Sequence, residues 1–359
     1  MQKLFFAEPP KKICVLRLSA LGDVCHTLPT VRSIQAQWPE TEITWIIGKL
    51  EYQLLSDIDN IKFVIFDKSA GLSAYLQLKK ALKDQYFDVL LHMQTSLRSN
   101  IASLFISAKV KLGFDKQRAR ELHSLVTNHK IAPAQRQHQV DDIFNFAQAL
   151  GIKNKLIQWQ IPIRDEARDK IRTLVTSNKA ILAINPCSSP SKRVFRNWIF
   201  ENYAEIADYA AENLGYQIVI CGGPTELEIK AGGIIESKML NPVTNLVGKT
   251  SIKELLALLD QSSLLITSDS GPAHIATAVN TPVIALHAAT NPFQTGPYLC
   301  LDKTVNKYPE AINAEYHKTP EELSWGIRAH GEEVMSRISA NDVIQQLEKV
   351  NQQLLNKNK

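Results

Sequence analysis

SDSGPAHIAT (268–277) comes one residue after the apolar run Leu264, Leu265, Ile266, and it crowds a carboxylate, hydroxyls, a glycine, a proline and a histidine together. The apolar run reads as a strand, and in an open α/β sheet ligands bind beyond the carboxyl ends of strands. Ser268, Asp269 or Ser270 can cap the helix that follows, Gly271 lets backbone approach a ligand, and Pro272 suits the first helical position. The amino terminus of that helix offers unpaired N–H groups and partial positive charge, which suit phosphate. His274 adds a donor in the first turn. Asp269 repels phosphate, so its natural partners are sugar hydroxyls. The chemistry that fits is a phosphate joined to a sugar; the plainer alternative is a capped helix start with a core-facing histidine.

LSALGDVCHTLPTV (18–31) is the matching strand–turn–helix corner nearer the amino terminus. Asp23 is expected at the start of its helix, either as a cap or as a general base that takes a proton from a hydroxyl nucleophile. In NPCSSPSKRVFRNW (185–198), Ser188, Lys192, Arg193 and Arg196 form a strand-to-helix loop able to neutralise a diphosphate. In CGGPTELE (221–228), the paired glycines permit a tight turn and Glu226 can accept hydrogen bonds from a ribose. Each loop alone also reads as ordinary solvated surface.

Several motifs are missing. No GxGxxG follows the first strand and no GxxxxGK[ST] occurs, which removes the main support for an ordinary dinucleotide or P-loop site. Without HExxH or paired CxxC, no metal site is expected. The DxD of Asp57 and Asp59 reads as a surface turn. Cys14, Cys25, Cys187, Cys221 and Cys300 are scattered, an odd count that suggests buried thiols in a reducing compartment.

Positioning these groups calls for two α/β blocks. The runs at 12–18, 42–48, 62–67 and 88–94 read as buried strands of a first block, and those at 180–186, 216–222, 244–248, 263–269 and 282–288 as strands of a second. Helical spacing fills the gaps, most clearly at 199–215 and 251–261, so each block should be a parallel sheet covered on both faces. The expected division is 1–165, 166–335 and a final amphipathic helix within 336–359. A chain of 359 residues with 45% hydrophobic and 21% charged residues accommodates two such domains. No stretch approaches a membrane span, and the start MQKLFFAEPPKK lacks an export signal, so a cytoplasmic location is expected. The net charge is +5, and residues 109–138 alone hold seven Lys/Arg against Asp115 and Glu121. That segment is either solvated surface or a site for a multiply anionic partner.

Together LSALGDVCHTLP, the loop ending RNW, CGGPTELE, SDSGPAHIATAVNTPVIALH and ATNPFQTGPY (289–298) resemble the bacterial ADP-heptose:lipopolysaccharide heptosyltransferases, glycosyltransferase family 9. PCSSPSKRVFRNW and HAATNP are nearer to members that add the first heptose. The resemblance implies a GT-B fold: two Rossmann-like domains, acceptor-binding then nucleotide-sugar-binding, around a cleft, with the last helix returning to the first domain. It also implies inverting, metal- and cofactor-independent transfer of heptose from ADP-heptose to the Kdo or inner-core region of lipopolysaccharide. On the matching positions Asp23 resembles the catalytic base. Ser188, Lys192, Arg196, Glu226, Asp269, Ser270, Gly271 and His274 resemble the donor site, and Arg98 and Arg120 basic residues that meet the acidic acceptor. Arg196 departs from the pattern, because many members have lysine there, and a planar guanidinium changes the contact geometry. A membrane-borne acceptor implies peripheral contact with the cytoplasmic face of the inner membrane, and no nucleic-acid partner. From the residues alone, another nucleotide sugar or envelope acceptor, or nucleotide-sugar binding without transfer, also stays open.

Overall fold

A computed structural model describes residues 8–176, 178–188, 194–331 and 333–357. The chain divides into two units, Met1–Pro162 and Ile163–Lys359, against an expected boundary after 165.

In unit 1 the order is β1 (Lys12–Leu16), α1 (Leu21–Gln37), β2 (Glu42–Gly48), α2 (Lys49–Leu55), β3 (Ile61–Phe66), α3 (Ser73–Ala81), β4 (Phe87–His92) and α4 (Leu97–Ser103). It continues with β5 (Ala108–Gly113), β6 (His129–Lys130) and α5 (Gln139–Ala149). All pairings are parallel, in the order β3-β2-β1-β4-β5-β6. The order reverses between β1 and β4, and that switch point opens a crevice at their carboxyl ends.

Helix α1 carries Asp23, and its placement rests on an unusual repair. Pro29 lies inside the helix and has no N–H, so the Cys25 carbonyl four residues earlier loses its donor. The indole N–H of buried Trp159 supplies it instead, at 2.8 Å. The helix is thereby tied to the last segment of its own unit.

Unit 2 repeats the plan. It comprises α6 (Asp165–Leu174), β7 (Ile181–Asn185), α7 (Phe200–Asn213), β8 (Gln217–Ile220), α8 (Glu226–Lys238), β9 (Val243–Asn245) and α9 (Ile252–Gln261). Then come β10 (Leu264–Ser268), α10 (Gly271–Ala278), β11 (Val283–His287), α11 (Pro292–Thr295), β12 (Val305–Asn306), α12 (Tyr308–Tyr316) and α13 (Ala340–Lys357). The sheet order is β12-β11-β10-β7-β8-β9, again parallel, with the reversal between β7 and β10. Two doubly wound units in tandem are the expected GT-B fold class.

One expectation is corrected. Helix α13 was assigned to the first domain, but its apolar stripe Val343, Leu347, Val350, at helical spacing, is buried in the core of unit 2. Its polar face adds Tyr209 Oη to Glu348 and Tyr216 Oη to Asn351 Oδ1 at 2.9 Å. Amphipathic spacing announced a docked helix; only these partners on α7 and at the entry to β8 choose the dock.

Candidate active site

At the switch point of unit 1, Asp23 is the third residue of α1. Its Oδ2 accepts the Ala20 N–H at 2.7 Å, and its Oδ1 pairs with the Arg17 guanidinium at 2.6 Å. Arg17 leaves the end of β1, and its other terminal nitrogen donates to the Met93 carbonyl beyond β4. Gln94 closes the same seam by accepting the Leu18 N–H at 2.7 Å. Asp23 therefore serves as a helix-end acceptor and still keeps a partly exposed carboxylate, aimed by a cation that bridges the two switch strands. Arg17 was not singled out in the sequence, because its pairing depends on the turn bringing α1 back over β1.

A cavity of about 260 Å³ lies beside this corner at the ends of β1 to β4. Lys49, Lys68 and Arg98 line it, together with Glu51 and Asp67. Asp67 pairs with Lys49 at 3.4 Å. Burial pushes the Glu51 carboxyl up, towards its neutral form. Three cations against two carboxylates leave the lining with a net positive balance. Glu51 fits only because residue 48 is glycine: a Cβ there would stand 2.3 Å from its Oε2 and 2.4 Å from the Leu18 carbonyl.

Arg98 is exposed on α4, and Arg120 on the loop beside it. That loop is bolted by Asn100, which is buried. Its Nδ2 donates to the carbonyls of Arg120 (3.4 Å) and Glu121 (2.6 Å), and its Oδ1 meets His123 Nδ1 at 3.1 Å. Phe114 donates its N–H to His123 Nε2 at 3.1 Å, so Nδ1 carries the ring proton. Glu121 and Leu122 adopt left-handed backbone (φ 50° and 67°), a conformation non-glycine residues seldom take unless surrounding contacts impose it.

The basic segment 109–138 is only partly a surface feature. Arg118 is spent on Asp115, Asp142 and the Ala132 carbonyl, and the half-buried Lys111 donates to the Ser103 carbonyl at 3.0 Å. Lys109, Lys116, Arg120, Lys130 and Arg136 are exposed. His123 and His138 are buried, the latter accepting the Val140 N–H at the head of α5.

In unit 2 Ser188 and Arg196 follow β7, Asp269, Ser270, Gly271 and His274 follow β10, and Glu226 follows β8. Arg196 donates to Asp269 Oδ2 at 2.6 Å, both side chains nearly buried at 7% and 8% exposure. Burial pushes the Asp269 carboxyl up, but His287, the Arg196 guanidinium, His274 and the Thr290 hydroxyl outweigh it and hold it at about 2. Arg196 Nε has no partner among the described residues. Ser270 occupies the cap position of α10 without capping it; its hydroxyl turns to Thr267 Oγ1 at 2.9 Å. The first N–H groups of α10, those of Gly271, Ala273 and His274, therefore receive no side-chain cap from Ser270, which suits an anion.

The triplet ending the 185–198 loop does three jobs. Arg196 reaches Asp269, Asn197 Oδ1 accepts from Ser188 N (2.8 Å) and Oγ (2.9 Å), and Trp198 Nε1 donates to the Ile338 carbonyl at 2.8 Å. Ser188 thus staples the loop's two ends; Lys192 lies outside the described residues. In the GGPTELE loop, Glu226 is exposed at the first turn of α8, while Glu228 accepts the Gly223 N–H (2.8 Å) and the Thr225 hydroxyl (2.6 Å). The two acids divide between loop-building and solvent, a split that spacing alone did not reveal.

His287 and Thr290 also went unremarked in the sequence. His287 Nδ1 meets Thr290 Oγ1 (3.0 Å) and the Thr290 carbonyl (3.2 Å), and Thr290 in turn bonds Asp269. Because a carbonyl only accepts, Nδ1 carries the proton. A polar residue closing the apolar strand PVIALH was the available signal.

These imidazoles make stability pH-dependent. Burial pushes His92 and His287 down and His123 to about 4. A folded-state value below the unfolded one, about 6.5, gives stability that is complete above pH 6.5 and lost as pH falls toward the folded values. The urea midpoint should be level from pH 7 to 8 and decline below about 6.5; a level midpoint down to pH 5 would contradict this assignment. Among the described residues no cluster of three His, Cys, Asp or Glu is placed to hold a metal ion.

Comparison with known proteins agrees over most of the chain. The family description glycosyltransferase family 9 (heptosyltransferase) matches residues 75–325. The lipopolysaccharide core heptosyltransferase OpsX of Haemophilus influenzae is 39% identical across 96% of this chain and 98% of its own. Among solved structures, a family 9 glycosyl transferase from Veillonella parvula superposes with a TM-score of 0.77 at 24% identity, covering 96% of this chain and 97% of that one. The E. coli ADP-heptose lps heptosyltransferase II does so at 0.71 and 20%, covering 95% and 99%.

Proposed function

The chain belongs to glycosyltransferase family 9, the heptosyltransferases, and from that premise we propose that it transfers heptose from ADP-heptose to a Kdo or neighbouring inner-core sugar of lipopolysaccharide, as a first-heptose enzyme. The observation that carries the donor half is the uncapped start of α10 beside the buried Arg196–Asp269 pair. A diphosphate takes the N–H groups of Gly271, Ala273 and His274 and the remaining donors of Arg196, with Lys192 and Ser188 from the same loop. Asp269 and His274 then face the sugar's hydroxyls, and Glu226 the ribose.

The acceptor half rests on Asp23 and the cationic cavity. Asp23 removes the acceptor hydroxyl's proton while that oxygen attacks the anomeric carbon, and the C–O bond to ADP breaks on the opposite face, inverting the centre. Arg196 and the α10 N–H groups meet the charge that grows on ADP. Arg17 is a positioning residue for Asp23. Arg98, with Lys68 in the cavity and Arg120 at its side, meets the acceptor's acidic groups. We place the enzyme in the cytoplasm, in peripheral contact with the inner membrane.

Donor choice tests this. A ligand that binds only the native state stabilises it by RT ln(1 + [L]/Kd), about 2.7 kcal/mol at a hundredfold excess over Kd. ADP should raise the melting temperature by several degrees and UDP and GDP much less, and mass spectrometry should find one heptose added to a Kdo-bearing acceptor. Equal stabilisation by all three nucleotides, or no added mass, would refute the reading.

A further inference from the structure

Unit 1 displays large apolar side chains where its neighbours are charged. On α4 and its last turn, Leu97, Ile101 and Leu104 recur at spacings of four and three, which puts them on one face, and they are 49%, 38% and 62% exposed. The adjoining loop adds Leu122 at 65% and Leu125 at 78%.

This exposure is built into the fold. The Asn100–His123 contact and the two carbonyls that Asn100 holds clamp the loop to α4, and the left-handed turn at Glu121 and Leu122 follows at once. His123, fully buried, packs on His92 and Phe114, so the loop's inner side is core while its leucines face out. Exposed Arg98 and Arg120 flank them, and the exposed Glu121, which accepts the Leu97 N–H, offsets one of these two charges while Lys109, Lys116 and Lys130 on the same segment stay exposed. Leucines standing among cations on a clamped surface match an interface with anionic headgroups above acyl chains. A second copy of the same basic surface would bring like charges together.

We propose that this face of unit 1, α4 with the 120–125 loop, docks on a lipid bilayer that carries anionic headgroups. It rests on the transferase reading in one respect: a lipid-borne acceptor has to reach Asp23. β4, which leads into α4, pairs directly with β1, which leads to Asp23, so the docking face adjoins the acceptor corner within one unit.

The test is co-sedimentation of the full chain with phosphatidylcholine vesicles, with and without phosphatidylglycerol, in the absence of donor and acceptor. The protein should pellet with the anionic vesicles and bind the neutral ones far more weakly. Raising salt from about 0.1 M to about 1 M shortens the Debye length from roughly 10 Å to 3 Å and should weaken binding without abolishing it. The double variant L122N/L125N should lose binding by on the order of tenfold or more. Its melting temperature and its turnover on a lipid-free acceptor should match the parent. No pelleting of the parent, salt-insensitive pelleting, or undiminished binding by the folded double variant would overturn the proposal. So would a parent dimer that the variant splits without any vesicle binding, since the surface would then belong to a second copy. Because no substrate is present, loss of vesicle binding alongside normal heptosyl transfer removes only this proposal, and the converse result removes only the transferase reading.

Discussion

Replacing Asp23 by asparagine is expected to lower kcat by about 10²–10⁴, the usual contribution of a general base, while ADP binding stays near normal. The substitution is nearly isosteric, and its amide oxygen can still accept the Ala20 N–H. What it loses is the proton-accepting charge and the charge-assisted bond to Arg17, the latter costing about 1–2 kcal/mol of stability. The two roles of Asp23 make different forecasts. A helix-end acceptor alone predicts a modest drop in melting temperature with turnover intact; a base predicts collapse of turnover with the fold intact. Measuring kcat by ADP release, beside the melting shift given by ADP, separates them, and wild-type turnover in Asp23→Asn would remove Asp23 from the chemistry.

Strands whose apolar character runs unbroken were readable in the sequence, because a strand buried on both faces has no other composition available. Three strands escaped: the two-residue β6 and β12, too short to carry a pattern, and β5, AKVKLG, where Lys109 and Lys111 disguise the alternation as a charged segment. The structure returns part of that charge to the interior, with Lys111 on the Ser103 carbonyl and Arg118 on two carboxylates. The corners at Asp23 and 268–274 were legible because switch-point loops carry polar groups straight after apolar strands. Their internal wiring was not. Arg17 meets Asp23 only because the turn brings α1 back over β1, and Arg196 and Thr290 meet Asp269 only because neighbouring strand ends come together, so spacing along the chain does not encode these pairings. Ser270 shows the limit from the other side: its type and position suit a cap, and a competing hydroxyl on Thr267 draws its side chain away.

The Arg196–Asp269 pair yields the last prediction, an asymmetric one. Removing one partner of a buried ion pair strands the other charge and typically costs about 3–5 kcal/mol. Both Asp269→Ala and Arg196→Met should therefore melt well below the parent in the absence of ligand. They should part on adding ADP. In Asp269→Ala the stranded cation finds a replacement counter-ion in the diphosphate, so ADP should raise its melting temperature more than the parent's. In Arg196→Met the stranded group is a carboxylate beside the phosphate site, and ADP should give little or no rescue. The double variant R196M/D269L, which puts apolar groups in place of both charges, should recover much of the ligand-free stability, as replaced buried pairs often do, yet remain blind to ADP. A guanidinium that only knits unit 2 together predicts otherwise: similar losses in both single variants and the same ADP shift in each. Melting curves of the four proteins with and without ADP decide whether Arg196 is held by Asp269 for the fold or kept ready for a diphosphate.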